Sequence, residues 1–374
     1  MRIAFNGHRL AGQRLGVGRY IEHTLRYWGG MLSDSEELSL FLRQPLSAES
    51  LDYLRLSPKI RPQVLGPDMP GIAWENLRLR WPAADHDVLF CPAYTAPVGY
   101  RRPLVVATHS VNEIDRSAHS WRYRQTYGRL YGSSARSADA VIVPAETTRA
   151  DVHRLLGVQA DRIFVVPQGV DEGFAPMDDQ AALADVRGRF FGTNRPYVLF
   201  VGKCSVRRNI PLLLQAFARV RKAGFPHGLV LFGPNVADLP LAQLTDDLGI
   251  SADVVQTDGE VTDHHDLVPI YNAADVFVHP SLYEGWSMTT VEALACGTAV
   301  IAANRGGLAE AVAGHGVLLD DLTEQALAEA LERVLGDDEL RRDLEHQAFE
   351  RGRTLRWQQT AELTLDVLRA VAAR

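Results

Sequence analysis

Two glutamates, Glu284 and Glu292, are separated by seven residues in a segment, residues 279–297, whose pattern predicts a strand, a loop and a helix. A helix that begins near Ser287 or Thr289 offers unpaired N–H groups and the positive end of its dipole, where a diphosphate is stabilised. We expect Glu284 in the loop and Glu292 in the first turns of the helix. Both carboxylates could then face one ligand and accept hydrogen bonds from sugar or ribose hydroxyls.

The same residues allow a purely structural interpretation. Thr289, Thr290, Val291 and Glu292 fit a capping box, in which Glu292 only returns to the start of its own helix. From these residues alone, both interpretations of Glu292 stand.

A basic loop opens the second half of the chain. After an apolar strand at residues 198–201 come Gly202, Lys203, Arg207 and Arg208, followed by a Leu-rich helix. Two cations beside a diphosphate would neutralise a leaving group without a metal ion. The alternative is a solvated basic loop that binds nothing. In either case we expect a loop cation such as Arg208 to contribute little to core packing.

The first half of the chain offers weaker candidates. Gly16 and Gly18 form a Gly-x-Gly loop before a helix, which could let the backbone approach a phosphate or an acceptor, or could only permit close packing. His109 follows an apolar strand at residues 104–107, so it lies at the carboxyl end of that strand, where ligands bind in open parallel sheets. A structural role for such a histidine stays open.

No metal site is predicted. Asp85, His86 and Asp87 form an Asp-x-Asp pattern, but they precede a strand and therefore lie at the wrong edge of the sheet. His264 and His265 lack a third ligand with suitable spacing, so we interpret them as a polar turn.

The elements that must position these residues follow an α/β pattern. Short β-branched runs alternate with helical segments up to about residue 166, and a second series begins at residue 198. We predict two Rossmann-like, doubly wound domains facing each other across a cleft: residues 1–173 on the acceptor side, residues 174–356 for the nucleotide sugar, and a last helix at 357–374 that returns to the first domain.

Composition narrows the class of protein. The net charge of −7 and the pI near 6.0 argue against nucleic-acid binding. Three scattered cysteines suggest a reducing compartment, and neither a signal peptide nor an apolar run of membrane-spanning length is visible. We therefore expect a cytoplasmic protein, with any membrane contact peripheral and at the inner face.

One segment could make such a contact. Residues 121–131 place tyrosines at helical spacing beside three arginines. They form either an acceptor or membrane-surface element, or a helix with a buried aromatic face and a wet basic flank.

The segment at residues 279–297 resembles the E-x7-E motif of the retaining glycosyltransferases of family GT4, glycosyl transferases group 1, which have the GT-B fold. The resemblance implies that Glu284 contacts the donor sugar and Glu292 the ribose. It also implies that Lys203 and Arg208 bind the diphosphate and that His109 lies near the transferred sugar. The donor-binding residues it implies are Gly16, Gly18, Gly202, Gly285, Trp286, Ser287, Met288, Thr289 and Glu292.

The expected function follows from this resemblance. It implies a retaining, metal-independent enzyme without a cofactor that moves a sugar from GDP-mannose or a UDP-hexose to a hydroxyl acceptor in glycan, glycolipid or polysaccharide synthesis. The alternatives are a GT-B phosphorylase or epimerase, or a sugar-nucleotide-binding protein that does not catalyse.

Overall fold

The computed structural model describes residues 1–10, 16–112, 128–261 and 263–374, which form two compact α/β units. Unit 1 comprises Met1–Gly169 and Arg356–Arg374, and unit 2 comprises Val170–Leu355. The predicted α/β class with two doubly wound parallel sheets is confirmed. The division between the units falls slightly before the expected boundary at residue 173.

Unit 1 is built on a seven-stranded parallel sheet with the order β3-β2-β1-β4-β5-β6-β7. Its strands are β1 (Arg2–Asn6), β2 (Glu37–Leu42), β3 (Ile60–Val64), β4 (Val88–Cys91), β5 (Leu104–Ala107), β6 (Ala140–Val143) and β7 (Ile163–Val165). Its described helices are α1 (Gly16–Met31), α2 (Ala48–Leu54), α3 (Gly71–Trp74), a π-helical stretch (Glu75–Leu79), α4 (Arg80–Ala83), α5 (Arg129–Ser137), α6 (Glu146–Leu156) and, from the end of the chain, α15 (Trp357–Ala372).

Unit 2 has a six-stranded parallel sheet with the order β10-β9-β8-β11-β12-β13. Its strands are β8 (Tyr197–Val201), β9 (Gly228–Phe232), β10 (Val254–Thr257), β11 (Val276–His279), β12 (Val300–Ala303) and β13 (Val317–Leu319). Its helices are α7 (Gln180–Phe191), α8 (Ile210–Lys222), α9 (Leu241–Leu248), α10 (Val268–Asn272), α11 (Met288–Ala295), α12 (Gly306–Val312), α13 (Glu324–Gly336) and α14 (Asp338–Gly352).

Central strands are buried on both faces, and this explains why their sequences are continuous apolar runs. Every residue of β4, β5, β6, β8 and β11 is buried. In unit 1, Phe5 packs edge-on against Trp28 of α1 and Phe90 of β4, with ring centroids 5.9 and 5.3 Å apart. These contacts fix α1 across the middle of the sheet.

Helix α15 completes the core of unit 1, although it follows unit 2 in the chain. The indole N–H of Trp28 donates to the carbonyl of Ala361 at 2.8 Å, and the Tyr20 hydroxyl lies 3.3 Å from Thr364 Oγ1. Trp357 and Leu368 are buried.

Among the described residues, no helix combines the length and the apolar character needed to cross a lipid bilayer.

Candidate active site

The basic loop and the first glutamate of unit 2 meet because β8 and β11 are neighbours in the sheet. Phe277 of β11 pairs with Leu199 of β8, so both strands end at the same edge. Past this edge, the N–H of Leu282 donates to the carbonyl of Arg207 at 2.9 Å and ties the two loops together. The carboxyl edge of the sheet is where ligands bind in this architecture.

Glu284 is the centre of a buried ionic cluster. Its Oε1 lies 2.7 Å from Arg207 Nη1 and 3.0 Å from Arg208 Nε, and Ser281 Oγ donates to it at 3.2 Å. The Arg208 Nε–H group is not aligned for a hydrogen bond, so this contact is an ion pair without one. The cluster presents two guanidinium groups and one carboxylate at the strand ends.

The protonation state of this cluster is set by competition between burial and charge. Burial alone would raise the pKa of Glu284, but the Arg208 charge, a hydrogen bond from His279 and the Arg207 charge together hold this pKa well below its usual range. Burial lowers the pKa of His279 to about 4, so this imidazole is neutral near pH 7. Its Nε2 lies 3.3 Å from both Glu284 Oε1 and Arg208 Nη1. This nitrogen can either donate a hydrogen bond to Glu284 or accept one from Arg208, but not both at once.

The predicted cations differ in their surroundings. Lys203 is exposed, and within the described parts of the chain it has no hydrogen bond or ion pair. The side chain of Arg208, by contrast, is only 18% exposed. The expectation that Arg208 contributes little to packing is therefore wrong, because the guanidinium pairs with a buried carboxylate.

Gly202 makes room for Arg208. Its φ of 137° lies in a region that residues with a side chain rarely adopt, and a Cβ there would stand 2.7 Å from Arg208 Nη1.

Arg207 and His279 were not among the predicted site residues. Their signal was their position, in the quoted basic loop and at the end of β11.

The capping-box interpretation of Glu292 is wrong. Ser287 caps α11, accepting a hydrogen bond from the N–H of Thr290 at 3.3 Å. Glu292 instead accepts hydrogen bonds from the Tyr271 hydroxyl at 2.8 Å and contacts His264 Nε2 at 3.0 Å. Glu292 is 1% exposed, so protein groups hold its carboxylate in one orientation.

His264 and His265 do form a polar turn, but one with specific contacts that the sequence did not suggest. Asp263 caps the turn, and His265 bridges two carboxylates, with Nδ1 3.0 Å from Asp263 and Nε2 2.9 Å from Asp171. The neighbouring His264 contacts Glu292. The turn therefore connects the first residues of unit 2 with the second glutamate of the motif.

The remaining predicted donor-binding residues of unit 2 line the approach to α11. Gly285, Trp286 and Ser287 are buried, whereas Met288 and Thr289 are half-buried. Across the loop, the N–H of Gly307 donates to the carbonyl of Glu284 at 2.8 Å. The loop backbone is thus fixed on both sides of Glu284.

In unit 1, His109 lies at the end of β5, with both ring nitrogens engaged. Nε2 is 2.7 Å from the carbonyl of Pro92, and Nδ1 is 2.7 Å from the side-chain nitrogen of Gln168. Because the carbonyl accepts and the amide donates, the ring carries its proton on Nε2. Burial lowers the pKa of His109 to about 4. This arrangement leaves no ring nitrogen ready to take a proton.

Gly16 and Gly18 lie in the first turn of α1 and not in a preceding loop. Residues 11–15, which precede these glycines, lie outside the described residues. So does most of the aromatic segment at 121–131, of which residues 128–131 are described.

Unit 1 contains a buried polar cluster at the ends of β1 and β4 that no sequence pattern indicated. Glu75 Oε1 accepts hydrogen bonds from Asn6 and from Thr95, both at 2.8 Å, and His8 Nδ1 lies 2.9 Å from Asn6 Oδ1. Burial raises the pKa of Glu75 to about 7. These residues come from separate elements, so no local sequence pattern predicts that they form a cluster.

Within the described ranges, no group of three or more His, Cys, Asp or Glu side chains is arranged to hold a metal ion. The Asp-x-Asp pattern lies at the amino edge of the sheet, where the Asp87 carboxylate accepts a hydrogen bond from the N–H of Arg2 at 2.7 Å.

Each half of the chain matches a known protein family. Residues 16–174 match the family described as Glycosyltransferase Family 4, and residues 185–351 match Glycosyl transferases group 1. The alpha-maltose-1-phosphate synthase of Mycolicibacterium smegmatis is 30% identical over 307 residues, which cover 75% of this chain and 76% of that protein. The D-inositol 3-phosphate glycosyltransferase of Corynebacterium glutamicum is 32% identical over 239 residues, covering 60% of this chain and 56% of that protein.

The fold has a close counterpart among solved structures. Anabaena HepE, solved in complex with UDP-glucose, superimposes with a TM-score of 0.77 over 100% of both chains at 18% sequence identity. At this identity the likeness concerns the fold alone. Together with the sequence matches, it establishes that the chain belongs to glycosyltransferase family 4, glycosyl transferases group 1, and is a glycosyltransferase with the GT-B fold.

Proposed function

We propose that this glycosyltransferase is retaining and metal-independent, and that it transfers a hexose from a nucleoside diphosphate sugar, GDP-mannose or a UDP-hexose, to a hydroxyl acceptor in the synthesis of a glycan, glycolipid or polysaccharide. The observation that carries the proposal is the cluster of Glu284, Arg207 and Arg208 at the carboxyl edge of the unit 2 sheet, beside the start of α11.

The proposed chemistry uses the charges of this cluster. As the bond between the sugar and the diphosphate breaks, negative charge accumulates on the departing diphosphate. Arg208, Lys203 and the N–H groups at the start of α11 stabilise that charge, a role that a metal ion has in other enzymes. The departing phosphate oxygen accepts the proton of the acceptor hydroxyl, so the reaction needs no separate protein base.

The two glutamates orient the donor. Glu284 is ionised because of its arginines, and an ionised carboxylate accepts hydrogen bonds from the hydroxyls of the sugar. Glu292, which contacts Tyr271 and His264, is the proposed partner of the ribose hydroxyls, because a carboxylate accepts hydrogen bonds from hydroxyl groups.

The comparisons support a nucleotide donor without identifying it. HepE was solved with UDP-glucose, and the two curated relatives are named as a maltose-1-phosphate synthase and an inositol 3-phosphate glycosyltransferase. Those names describe the relatives.

The test begins with the donor. Thermal melts with UDP-glucose, UDP and GDP-mannose should single out one nucleotide, because a ligand at about 100 times its Kd adds about 2.7 kcal/mol to the free energy of unfolding. Turnover of that donor after exhaustive EDTA treatment tests metal independence, and NMR of the product tests the anomeric configuration. Loss of activity that Mg²⁺ or Mn²⁺ restores, or an inverted anomeric centre, would refute the corresponding part of the proposal.

A further inference from the structure

The outer face of the helical stretch at residues 71–83 in unit 1 exposes large apolar side chains. Leu77 is 62% exposed and Trp81 is 71% exposed, and they stand four positions apart. Val98, in the connection between β4 and β5, is 51% exposed. Single exposed apolar residues are normal, but a group that combines tryptophan, leucine and valine on adjoining segments marks an interaction surface.

The two segments are fixed to each other by hydrogen bonds. Arg80 donates to the carbonyls of Val98 at 3.0 Å and Gly99 at 3.3 Å, and the N–H of Val98 donates to Asn76 Oδ1 at 2.8 Å. The apolar side chains are therefore presented together by a rigid frame.

Basic side chains surround this apolar group. The Arg80 guanidinium lies over the Trp81 ring, 5.7 Å from its centroid, and Arg101 and Arg102 are exposed in the segment that follows Val98. Asp85, which follows Trp81 in the sequence, is an exposed acidic residue. We call Leu77, Arg80, Trp81, Val98, Arg101 and Arg102 the Trp81 patch. It is positively charged, although the chain as a whole carries −7.

We propose that the Trp81 patch docks the protein on an anionic lipid surface. Tryptophan and leucine enter the boundary between headgroups and acyl chains, while arginines pair with anionic headgroups. The expectation of peripheral membrane contact rested on residues 121–131, and this patch is a different part of the chain.

Charge favours a lipid surface over a second copy of the chain. A two-fold contact places the same patch against itself, and this would bring the three arginines of each copy together. An anionic bilayer neutralises them instead. The proposal concerns binding alone and does not depend on the donor chemistry proposed above.

Co-sedimentation of the full chain with vesicles provides the test. The protein should bind vesicles of equal parts phosphatidylcholine and phosphatidylglycerol, should bind pure phosphatidylcholine weakly, and should be released by salt. The double variant Leu77→Ser/Trp81→Ser should bind these vesicles at least about tenfold more weakly than the wild type. Arg101→Gln and Arg102→Gln should each lower the affinity for anionic vesicles roughly fivefold.

Two control variants match these changes elsewhere in unit 1. Leu155→Ser replaces another exposed apolar residue, 44% exposed, and Arg61→Gln removes an exposed arginine. Neither should alter vesicle binding. A thermal melt of each variant checks that it is folded, and all of them should keep wild-type turnover on a soluble acceptor.

Three outcomes would overturn the proposal. The first is no binding to anionic vesicles at low salt, and the second is equal losses in the patch variants and the controls. The third is a concentration-dependent dimer, measured by light scattering, that the Leu77→Ser/Trp81→Ser variant abolishes while vesicle binding persists, since the patch would then be a protein interface.

Discussion

A buried carboxylate held by two arginines from a distant loop defines the site at the scale of single residues. Glu284 is 6% exposed, and both Arg207 and Arg208 contact the same oxygen. Removing one partner of a buried ion pair leaves charge without compensation and destabilises the protein, even where the intact pair contributes little net stability. Stability and catalysis are therefore coupled at Arg208.

We predict that Arg208→Ala lowers turnover by about 10²–10³-fold, the effect of losing one preorganised electrostatic contact. It should also lower the free energy of unfolding by roughly 1–3 kcal/mol, because Arg207 compensates only part of the Glu284 charge. Arg208→Lys keeps the charge without the planar fork and should recover part of the rate. Single-turnover transfer at saturating donor, paired with chemical denaturation, measures both effects.

The matched control is Arg219→Ala, which breaks an exposed pair with Glu324 at 3.7 Å in the same unit. Such pairs contribute about 0–1 kcal/mol, so turnover and stability should hardly change. Wild-type turnover in Arg208→Ala would remove Arg208 from the site.

A second residue-scale prediction concerns Tyr271, which orients Glu292. Tyr271→Phe keeps the buried ring and removes the 2.8 Å hydrogen bond to the carboxylate. We expect a loss of about 1 kcal/mol in stability and a clear rise in the Kd of the nucleoside diphosphate, measured by calorimetry, with a smaller effect on kcat. Glu292→Gln should also raise this Kd.

Tyr100→Phe serves as its control, since the Tyr100 hydroxyl donates to the carbonyl of Ala83 at 3.0 Å in unit 1. It should lose similar stability and keep the wild-type Kd. If both variants bind the nucleotide equally well, Tyr271 has only a structural role.

At the scale of elements, a strand, a glycine turn and a short helix form the basic loop. After β8, the N–H of Gly202 donates to the carbonyl of Phe232 at 2.9 Å, and the single-turn helix Val206–Arg208 then presents both arginines. Gly202 adopts a φ of 137°, and a Cβ there would stand 2.7 Å from Arg208 Nη1.

We predict that Gly202→Ala displaces Arg208 and lowers turnover at least tenfold, in addition to the roughly 1–2 kcal/mol of backbone strain expected at positive φ. Gly249→Ala is the comparison, because Gly249 has a φ of 70° with open space around it. Both variants should lose stability in thermal melts, but only Gly202→Ala should lose turnover. Equal turnover in the two would show that Arg208 does not depend on this turn.

At the scale of the whole molecule, the C-terminal helix packs into the core of unit 1, which is formed mainly by the first 169 residues. Helix α15 follows the last helix of unit 2, yet it packs within unit 1. Chain order therefore does not match the order of the compact units, and unit 1 cannot complete its core until residue 372 has been added.

Leu368→Ala tests this arrangement. Leu368 is fully buried, so the change should cost about 2–5 kcal/mol of unfolding free energy. Leu363→Ala, on the same helix but 36% exposed, should cost clearly less. Urea denaturation followed separately for the two units would assign the loss to unit 1. Equal losses in the two variants would contradict the packing of α15.

Much of the fold follows from local sequence patterns, because strands buried on both faces must be apolar along their length. β5 and β8 were both predicted from their apolar runs at residues 104–107 and 198–201. β3 was not, since only one of its residues is buried and Pro62 interrupts it at the edge of the sheet. β13, also at an edge, has only three residues.

The candidate site divides in the same way. The sequence alone determined that Glu284 and Glu292 belong to one strand–loop–helix segment and that a basic loop precedes α8, because both are local patterns. Only the tertiary structure decided that Arg207 and Arg208 contact Glu284, and that Glu292 binds Tyr271 instead of capping its helix. The physical reason is that these contacts depend on the order of β8 and β11 in the sheet and on the packing of α10 against α11, which long-range burial selects and no short window of sequence encodes.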